Sequence, residues 1–446
     1  MARIVQIFVT SCMLFAGIAA PAHAAVFNPQ SFTLDNGMQV VVVTNRRVPV
    51  VTHMIWYKVG AMDEPPGKSG LAHYLEHLMF KGTKTLKPGE FSAIVARNGG
   101  QENAFTSQDY TGYYQSVAAD RLELMMKLEA DRMTNLVLTD AAIEPERQVV
   151  IEERRSRIDN DPSAMLGEQI AAALYQNHPY RNPIIGWRHE IETRSRQDLL
   201  DFYRHWYAPN NAVLVISGDV TVDIVRPLAE KYYGVIPARK LPKRVVWREP
   251  PPAADRHVVL KDPRVRQPAW SRRFLAPRQV YGQSEHAYAL RVLGEILSGG
   301  ATSRLHRTLV VEDKIAVSAG AWYNGRTRGP GTFGFYASPP PDGDIDATIA
   351  AVNAQIDTLI ADGVTEEEVA KAVRQLQDSA VYARDSYRTP ARVFGAALAI
   401  GRTVADVEAW PERIGAVDAG AVNRAIEFVF KNRRSVTALL LPKPAS

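Results

Sequence analysis

The stretch HYLEHLMFKGT, residues 73–83, decides how the whole chain is interpreted. Apolar residues recur in and around it at helical spacing, which predicts a helix near 70–80. His73, Glu76 and His77 then lie at positions i, i+3 and i+4 and project from one face of that helix. Two imidazoles four residues apart can hold one metal ion, and a carboxylate just before the second imidazole can hydrogen-bond a water on that ion. The stretch therefore predicts a metal site with an acid–base residue beside it.

A His-x-x-Glu-His pattern alone does not define such a site. It occurs by chance in roughly one chain in a hundred, so a solvated helix face is the alternative. The pattern is also the inverted form of the His-Glu-x-x-His arrangement of zinc peptidases, which takes a further protein ligand. A zinc site therefore requires a third ligand elsewhere in the chain.

Acidic residues between 144 and 153 offer that third ligand. Glu146 and Glu153 are two helical turns apart, so they share one face with Val149 and Val150. Two carboxylates on an apolar face need a partner, because an unpaired buried charge is costly. Pairing of both carboxylates with arginines is the alternative to a metal.

We predict that Glu153 is the third zinc ligand and that Glu146 is a carboxylate that supports a ligand from behind. Glu152 faces with Gln148 and Arg155 and is expected to be solvated. The choice between the adjacent glutamates rests on helical phase, which changes by about 100° from one residue to the next.

The rest of the chain divides into segments whose order repeats. In the first half, period-two alternation predicts strands and long amphipathic stretches predict helices. The predicted strands are 31–34, 38–43, 48–59 and 212–217, and the predicted helices are 70–80, 87–98, 119–136, 144–158 and 196–206. Pro145 is expected in the first turn of its helix. The second half begins with alternation at 257–260 and ends, like the first, with an aromatic-rich helix at 419–430 and a β-branched strand at 435–441.

Length and composition separate these halves into two domains. The 446 residues are too many for one ordinary core. The segment 236–255 carries five prolines, a stiff composition that suits a connection. We predict a first domain at 25–240, a linker at 241–256 and a second domain at 257–446, the two domains being copies of one α/β unit. Two unrelated domains with similar endings are the alternative.

The N-terminus has the pattern of a secretory signal peptide. Arg3 precedes an apolar run at 4–20, and Ala22-His23-Ala24 offers a cleavage site after its last residue. We predict a signal peptide at 1–24 and export to a Gram-negative periplasm; a buried first helix or a membrane anchor is the alternative. No later segment is expected to span a membrane.

Cysteine use and net charge exclude several classes of function. Cys12, inside the predicted signal peptide, is the only cysteine, so the mature chain would have no disulfide, no cysteine zinc site and no cysteine nucleophile. The formal net charge is only +5, and no basic strip with interleaved aromatic residues is present. No nucleic-acid partner is therefore expected.

Three motifs together resemble the pitrilysin-like M16 metallopeptidases, most closely the short members related to mitochondrial processing peptidase. The motifs are HYLEHLMFKGT at 73–83, GGQENAFT at 99–106, and Glu146-Arg147 with Glu153 downstream. The resemblance implies an α+β fold of two homologous α/β domains, of which only the N-terminal domain carries metal. The comparable helix of the second half agrees, since it reads RVLGE at 291–295 without histidine.

The resemblance also implies an activity and a ligand set. It implies a zinc-dependent endopeptidase that hydrolyses peptides or unfolded segments with one Zn²⁺ per chain. His73, His77 and Glu153 would hold the metal, and Glu76 would be the general base. A non-catalytic structural or binding subunit of an M16-like assembly is the alternative, but such a subunit need not keep all four residues.

The segment after Gly99-Gly100 can be interpreted in two ways. It can form an exposed sheet edge near the metal, to which a peptide adds as an extra strand, or it can be an ordinary turn and strand. The resemblance favours the first reading. It implies that substrate binds along Asn103, Ala104, Phe105 and Thr106.

One departure from the family pattern predicts a partner. The resemblance implies that short members pair into a closed dimer around a peptide chamber, and self-sufficient members carry an Arg and a Tyr, seven residues apart, after a Ser-Arg-Leu segment. Here Ser303-Arg304-Leu305 is followed by Val310 and Val317 at those positions. Valine cannot donate a hydrogen bond to a developing oxyanion. We therefore expect a homologous M16-like subunit to supply the Arg and Tyr in a heterodimer, in preference to a homodimer.

Overall fold

The computed structural model describes residues 26–279, 284–431 and 434–443. The predicted signal peptide at 1–24 lies outside these ranges. Each half of the chain forms one β-sheet with helices on both faces, so the predicted α+β fold of two domains is confirmed. No helix within the described ranges is both long and apolar enough to cross a membrane.

The first sheet has six strands in the order β1-β2-β6-β3-β5-β4, and the second has five in the order β7-β11-β8-β10-β9. The strands are β1 Gln30–Thr33, β2 Gln39–Thr44, β3 Val50–Tyr57, β4 Gln101–Thr106, β5 Thr111–Ala118, β6 Ala212–Gly218, β7 Arg256–Asp262, β8 Ala269–Ala276, β9 Ser318–Asn324, β10 Gly331–Ser338 and β11 Val436–Pro442.

The two sheets share one topology. In the first, β2 is parallel to β6, and the other neighbouring strands pair antiparallel. In the second, β7 is parallel to β11, and the other neighbours are again antiparallel. Strand β1 is an addition at one edge of the first sheet. The repeated chain order, with the last strand of each half inserted beside the first, shows a duplicated unit.

Fifteen α-helices cover these sheets within the described residues. They are α1 Leu71–Leu78, α2 Glu90–Arg97, α3 Leu122–Asn135, α4 Asp140–Arg154, α5 Pro162–Leu174, α6 Arg188–Glu192, α7 Arg196–Trp206, α8 Val222–Ala229, α9 Glu285–Ser298, α10 Ile345–Asp362, α11 Glu366–Tyr382, α12 Thr389–Ala399, α13 Val404–Glu408, α14 Trp410–Gly415 and α15 Ala419–Ile426. Short π-helical turns extend several of them.

Each sheet is covered on one face by helices of its own half and on the other by a helix of the opposite half. Alternating residues of β2, β3 and β6 face either the main core with α1, α3 and α7 or a second core with α12. In return, α5 packs its apolar side on β7 and β11 of the second sheet. This exchange means that neither half buries its sheet alone.

Helix α4 begins earlier than the sequence predicts. Thr139 is its N-cap and its side chain accepts a hydrogen bond from the Ala142 backbone N–H at 3.2 Å. Pro145 therefore lies inside the helix, not in its first turn, and the prediction of a start at 144 is wrong. The local reason is that a threonine cap is a stronger start signal than the preference of proline for the first turn.

Candidate metal centre

Helix α1 is held at its N-terminus by a carboxylate and by a close backbone contact. Both oxygens of Glu64 accept hydrogen bonds from the helix start, from the N–H groups of Gly70 at 2.9 Å and Ala72 at 2.8 Å. Gly70 has φ +83°, and a Cβ there would lie 2.5 Å from the carbonyl oxygen of Ile185. Only glycine satisfies both conditions. The position of the α1 side chains is therefore fixed from outside the helix.

Helix α4 brings one carboxylate to the two imidazoles of α1. Glu153 Oε2 lies 3.1 Å from His77 Nε2 and 3.6 Å from His73 Nε2. The three residues can each offer a ligand atom within 4.8 Å of the others. Two ligands of a tetrahedral zinc, each about 2.05 Å from the metal, are about 3.3 Å apart. The two distances from Glu153 Oε2 are therefore compatible with three ligands of one zinc ion.

Two atoms of this group are buried without a hydrogen bond among the described residues. Glu153 Oε2 and His73 Nδ1 have almost no accessible surface, and neither has a partner in hydrogen-bonding geometry. Buried polar atoms are rarely left in this condition, because each costs free energy. The other oxygen of Glu153 is engaged by Arg157 Nη1 at 2.7 Å. A cation between Glu153 and the histidines would satisfy the free carboxylate oxygen.

Glu146 contacts the far side of one imidazole. Its Oε1 lies 2.8 Å from His77 Nδ1, and its Oε2 pairs with Lys81. A histidine whose Nδ1 is held by a carboxylate presents Nε2 to a metal in a fixed orientation. The supporting role predicted for Glu146 therefore has the required contact. Lys81, one helical turn after His77 in the starting motif, was not predicted.

The two imidazoles have opposite proton affinities. Burial, together with the nearby His77, lowers the pKa of His73 to about 4, so its ring is neutral at pH 7. Burial alone would also lower the pKa of His77, but its interactions with Glu146 and Glu153 outweigh burial and raise that pKa to about 9. Metal ligation requires the neutral ring, so a metal would displace a proton from His77.

Glu76 lies near His77 and Glu153 and has a separate partner. Thr106 Oγ1 donates a hydrogen bond to Glu76 Oε2 at 2.6 Å. Burial raises the pKa of Glu76, and the hydrogen bond from Thr106 partly offsets that rise. A carboxylate held in this way is suited to accept and release a proton, whereas the Glu153 carboxylate has its pKa lowered, mainly by its interaction with His77.

Strand β4 ends at this site and forms an edge of the first sheet. It pairs with β5 alone among the described strands. Asn103, Ala104, Phe105 and Thr106 are its last four residues, and Phe105 packs against Trp56 with ring centroids 4.9 Å apart. An edge strand has main-chain groups on its outer side that can pair with an added peptide. The role found for Thr106 toward Glu76 was not predicted.

Among its described residues, the second domain contributes no histidine to this group. Val310 lies in the π-helical turn His306–Glu312, packed against the second core, and Val317 is 46% exposed just before β9. Arg304 is engaged elsewhere, since it pairs with Glu368 at 2.6 Å. No arginine or tyrosine therefore occupies either of the two positions.

Other predicted features of α4 have mixed outcomes. Glu152 is exposed and pairs with Arg155 at 2.5 Å, as helical phase predicts. Val150 is fully buried, but Val149 is 49% exposed, so its placement on the face of Glu146 and Glu153 is wrong. The glutamates lie at the border of the apolar face, because they must reach α1 and not the core.

Fold and site together define a two-domain protein with a candidate zinc site of the inverted metallopeptidase type. Two family profiles match the chain, "Insulinase (Peptidase family M16)" over 39–187 and "Peptidase M16 inactive domain" over 194–376. The zinc protease PqqE of Helicobacter pylori is 33% identical over 368 residues, which are 81% of this chain and 82% of that protein. The chain belongs to peptidase family M16.

Two solved structures extend the comparison. A protease from Helicobacter pylori superposes with a TM-score of 0.86 at 30% identity, over 93% of this chain and 99% of that one. The periplasmic protease PqqL from Escherichia coli gives a TM-score of 0.79 at 20% identity, over 93% of this chain but only 47% of PqqL. At that identity the likeness to PqqL concerns the fold alone.

Proposed function

We propose that the chain is a zinc-dependent endopeptidase that hydrolyses peptides or unfolded segments. The observation that carries the proposal is the convergence of His73, His77 and Glu153 on one point, with Glu76 beside them and bonded to a different partner. A plain metal-binding protein would have no use for Glu76. The relative named a zinc protease supports the same metal and the same reaction class.

Different residues of the chain have different roles in the proposed reaction. His73, His77 and Glu153 would hold the ion, and Glu146 keeps the His77 ring in its orientation. Zn²⁺ bound there would lower the pKa of a bound water to about 7 and polarise the scissile carbonyl. Glu76 would accept a proton from the attacking water and deliver it to the leaving amine. Thr106 keeps the Glu76 carboxylate directed toward that proton.

Strand β4 is the proposed substrate-binding edge. A peptide that adds along Asn103–Thr106 is held mainly by main-chain hydrogen bonds, which give affinity with little sequence preference. Because Thr106 bonds to Glu76, such a peptide would pass directly beside the acid–base group. Unfolded segments fit this edge better than folded domains, since only an extended backbone can pair with it.

Replacing Thr106 with valine is expected to reduce turnover about tenfold or more while zinc content stays unchanged. The hydrogen bond to a charged group is lost, but no metal ligand changes. That bond favours the ionised form of Glu76, so its loss raises the pKa of Glu76 further. Since Glu76 must be ionised to accept a proton, the acidic limb of the kcat/KM profile should move to higher pH.

Thr85→Val is the matched control, because Thr85 also donates to a carboxylate, that of Asp131 at 2.7 Å, away from the metal ligands. Peptide hydrolysis is measured from pH 5 to 9 on both variants, and only Thr106→Val should change the pH profile. Identical profiles for Thr106→Val and the unchanged chain would show that Thr106 does not act through Glu76.

We further propose that the active enzyme contains a second, homologous M16-like subunit. Val310 and Val317 leave the described part of this chain without the Arg and Tyr pair expected in a self-sufficient member. PqqL supports such pairing, because this chain matches only 47% of its length and PqqL thus has room for two such units in one chain. A heterodimer is preferred over a homodimer, since a second copy would carry the same two valines.

The isolated chain is expected to hydrolyse peptides about 10²–10³-fold more slowly than the chain with that partner, the usual cost of one missing oxyanion donor. The measurement compares hydrolysis at equal zinc content before and after addition of a homologous subunit that carries Arg and Tyr. A partner with both residues replaced by valine is the control. Full activity of the isolated chain, unchanged by any partner, would favour a self-sufficient homodimer.

We also propose limits for the two domains and a cellular location. We place the zinc in the domain at 25–240, followed by the linker at 241–256 and an inactive homologous domain at 257–446. Export through the signal peptide at 1–24 to the periplasm is supported by the name of PqqL, a periplasmic protease of the same fold. Mass spectrometry of the mature chain would test the predicted N-terminus at Ala25.

A further inference from the structure

A cavity of about 400 Å³ lies between the two halves of the chain, apart from the metal ligands. Its walls come from the start of the described chain, the β4–β5 and β9–β10 connections, helices α9, α11 and α12, and residues that follow α11 and α12. Small-molecule sites in proteins have volumes of roughly 300–1,000 Å³. The cavity is therefore large enough for a compact ligand.

The charge of this cavity is one-sided. Four arginines line it, and no aspartate or glutamate is among the described residues of its wall; the arginines are Arg291, Arg326, Arg392 and Arg402. The rest of the wall is mainly apolar and includes Phe27, Leu376 and Ile400. Cationic groups that converge on an apolar cavity are arranged for a ligand with an anionic head and an apolar body.

Two of the arginines, Arg392 and Arg402, have neutral partners that leave their charge in place. Arg402 donates to the neutral oxygens of Gln279 and the Asp406 backbone, both at 2.8 Å. Arg392 lies over the Tyr114 ring, whereas Arg291 forms an ion pair with Glu295 at 3.4 Å. The Asp406 carboxylate itself is engaged by Arg413 at 2.8 Å.

Arg326 is the arginine without a partner. Among the described residues it makes no hydrogen bond or ion pair, although solvent reaches its side chain. Surrounding protein desolvates the guanidinium, and Arg291 and Arg402 add repulsion, so its pKa is lowered. An anion bound beside Arg326 would relieve its repulsion with Arg291 and Arg402.

We propose that this cavity binds a carboxylate attached to an apolar group, with Arg326 as its main charged contact. The planar guanidinium matches a carboxylate with two hydrogen bonds, and the apolar wall receives the body of the ligand. A fatty acid and a peptide that ends in a free apolar residue share this chemistry.

The test is calorimetric titration of the full chain with decanoate and with the dipeptide acetyl-Leu-Phe as its free acid. Their neutral counterparts, decanol and acetyl-Leu-Phe amide, and inorganic phosphate are the comparison ligands. Binding of either carboxylate at least tenfold tighter than its neutral counterpart and than phosphate supports the proposal, and the one that binds identifies the source. Binding of neither, or equal binding of a neutral counterpart or of phosphate, would overturn it.

Arg326→Gln is expected to weaken binding of the carboxylate ligand about 10–100-fold, because the ion pair between the ligand and Arg326 is lost. Arg121→Gln, at an exposed arginine of the first domain, is the matched control and should change nothing. Without ligand, Arg326→Gln should unfold at the same temperature or higher, because one of four like charges is gone. Ala396→Phe, which fills the cavity, should also abolish binding; retained binding in both cavity variants would contradict the assignment.

Discussion

Glu76→Gln is expected to lose about 10²–10⁴-fold in peptide turnover while it keeps one zinc per chain. The magnitude is that of general acid–base catalysis, because glutamine cannot accept a proton from water. Zinc is retained, since the ligand atoms come from His73, His77 and Glu153. Glutamine can still accept the hydrogen bond from Thr106, so the local packing should survive. Elemental analysis and a fluorogenic peptide assay on the same preparation measure both quantities.

Glu152→Gln is the matched control for this change. Glu152 is a glutamate of the neighbouring helix that is exposed and paired with Arg155, so its replacement should leave turnover unchanged. Near-normal turnover in Glu76→Gln at full zinc content would remove Glu76 from the mechanism. Loss of zinc in that variant would instead make Glu76 a ligand, which its contacts do not suggest.

Glu153→Ala is expected to lose zinc and, with it, activity. Loss of a residue that only supports a ligand costs about 10–100-fold in metal affinity, and loss of a ligand should exceed that. The substitution also removes the carboxylate that would offset part of the charge of a divalent ion beside the two histidines. Zinc affinity is measured by competition with a chromophoric chelator at pH 7.5.

The control for Glu153→Ala is a substitution of the adjacent residue, Glu152. Glu152→Ala should bind zinc as the unchanged chain does, because its side chain faces solvent. If Glu152→Ala lost the metal and Glu153→Ala kept it, the interpretation of α4 would be wrong by about 100° of rotation. The pair of variants thus tests helical phase directly.

Local sequence patterns predicted several elements of the first half closely. The helix predicted at 196–206 is Arg196–Trp206, and the strand predicted at 38–43 is Gln39–Thr44. Such elements are set by residue period and by caps, which are local. The start of α4 was missed because Pro145 suggested a first turn, whereas Thr139 caps the helix earlier.

Long-range packing was not predictable from the same patterns. The apolar faces of α5 and α12 are visible in the sequence, but nothing in their period says that each covers the sheet of the other half. An apolar helix face indicates that the face is buried, but it does not indicate which element packs against it. The duplicated order of strands was suggested only by the similar endings of the two halves.

The candidate site also has a part that local patterns predicted and a part that they did not. Spacing within one helix put His73 and His77 together, and spacing within another put Glu146 and Glu153 together; the structure joins the two pairs. Their roles remain predictions. Glu64 was missed, because its contact depends on how a loop folds back on α1. The bond from Thr106 to Glu76 likewise joins separate elements and has no local signal.

The most direct test of the central claim is a zinc titration of the metal-free protein, followed by peptide hydrolysis. The measurement uses the chain together with its homologous partner where that is available, and a high enzyme concentration otherwise. We expect no hydrolysis without metal and a rise to a plateau at one zinc per chain, with no rise in Glu153→Ala. Hydrolysis that persists in the metal-free chain, or zinc-dependent hydrolysis unchanged in Glu153→Ala, would contradict it.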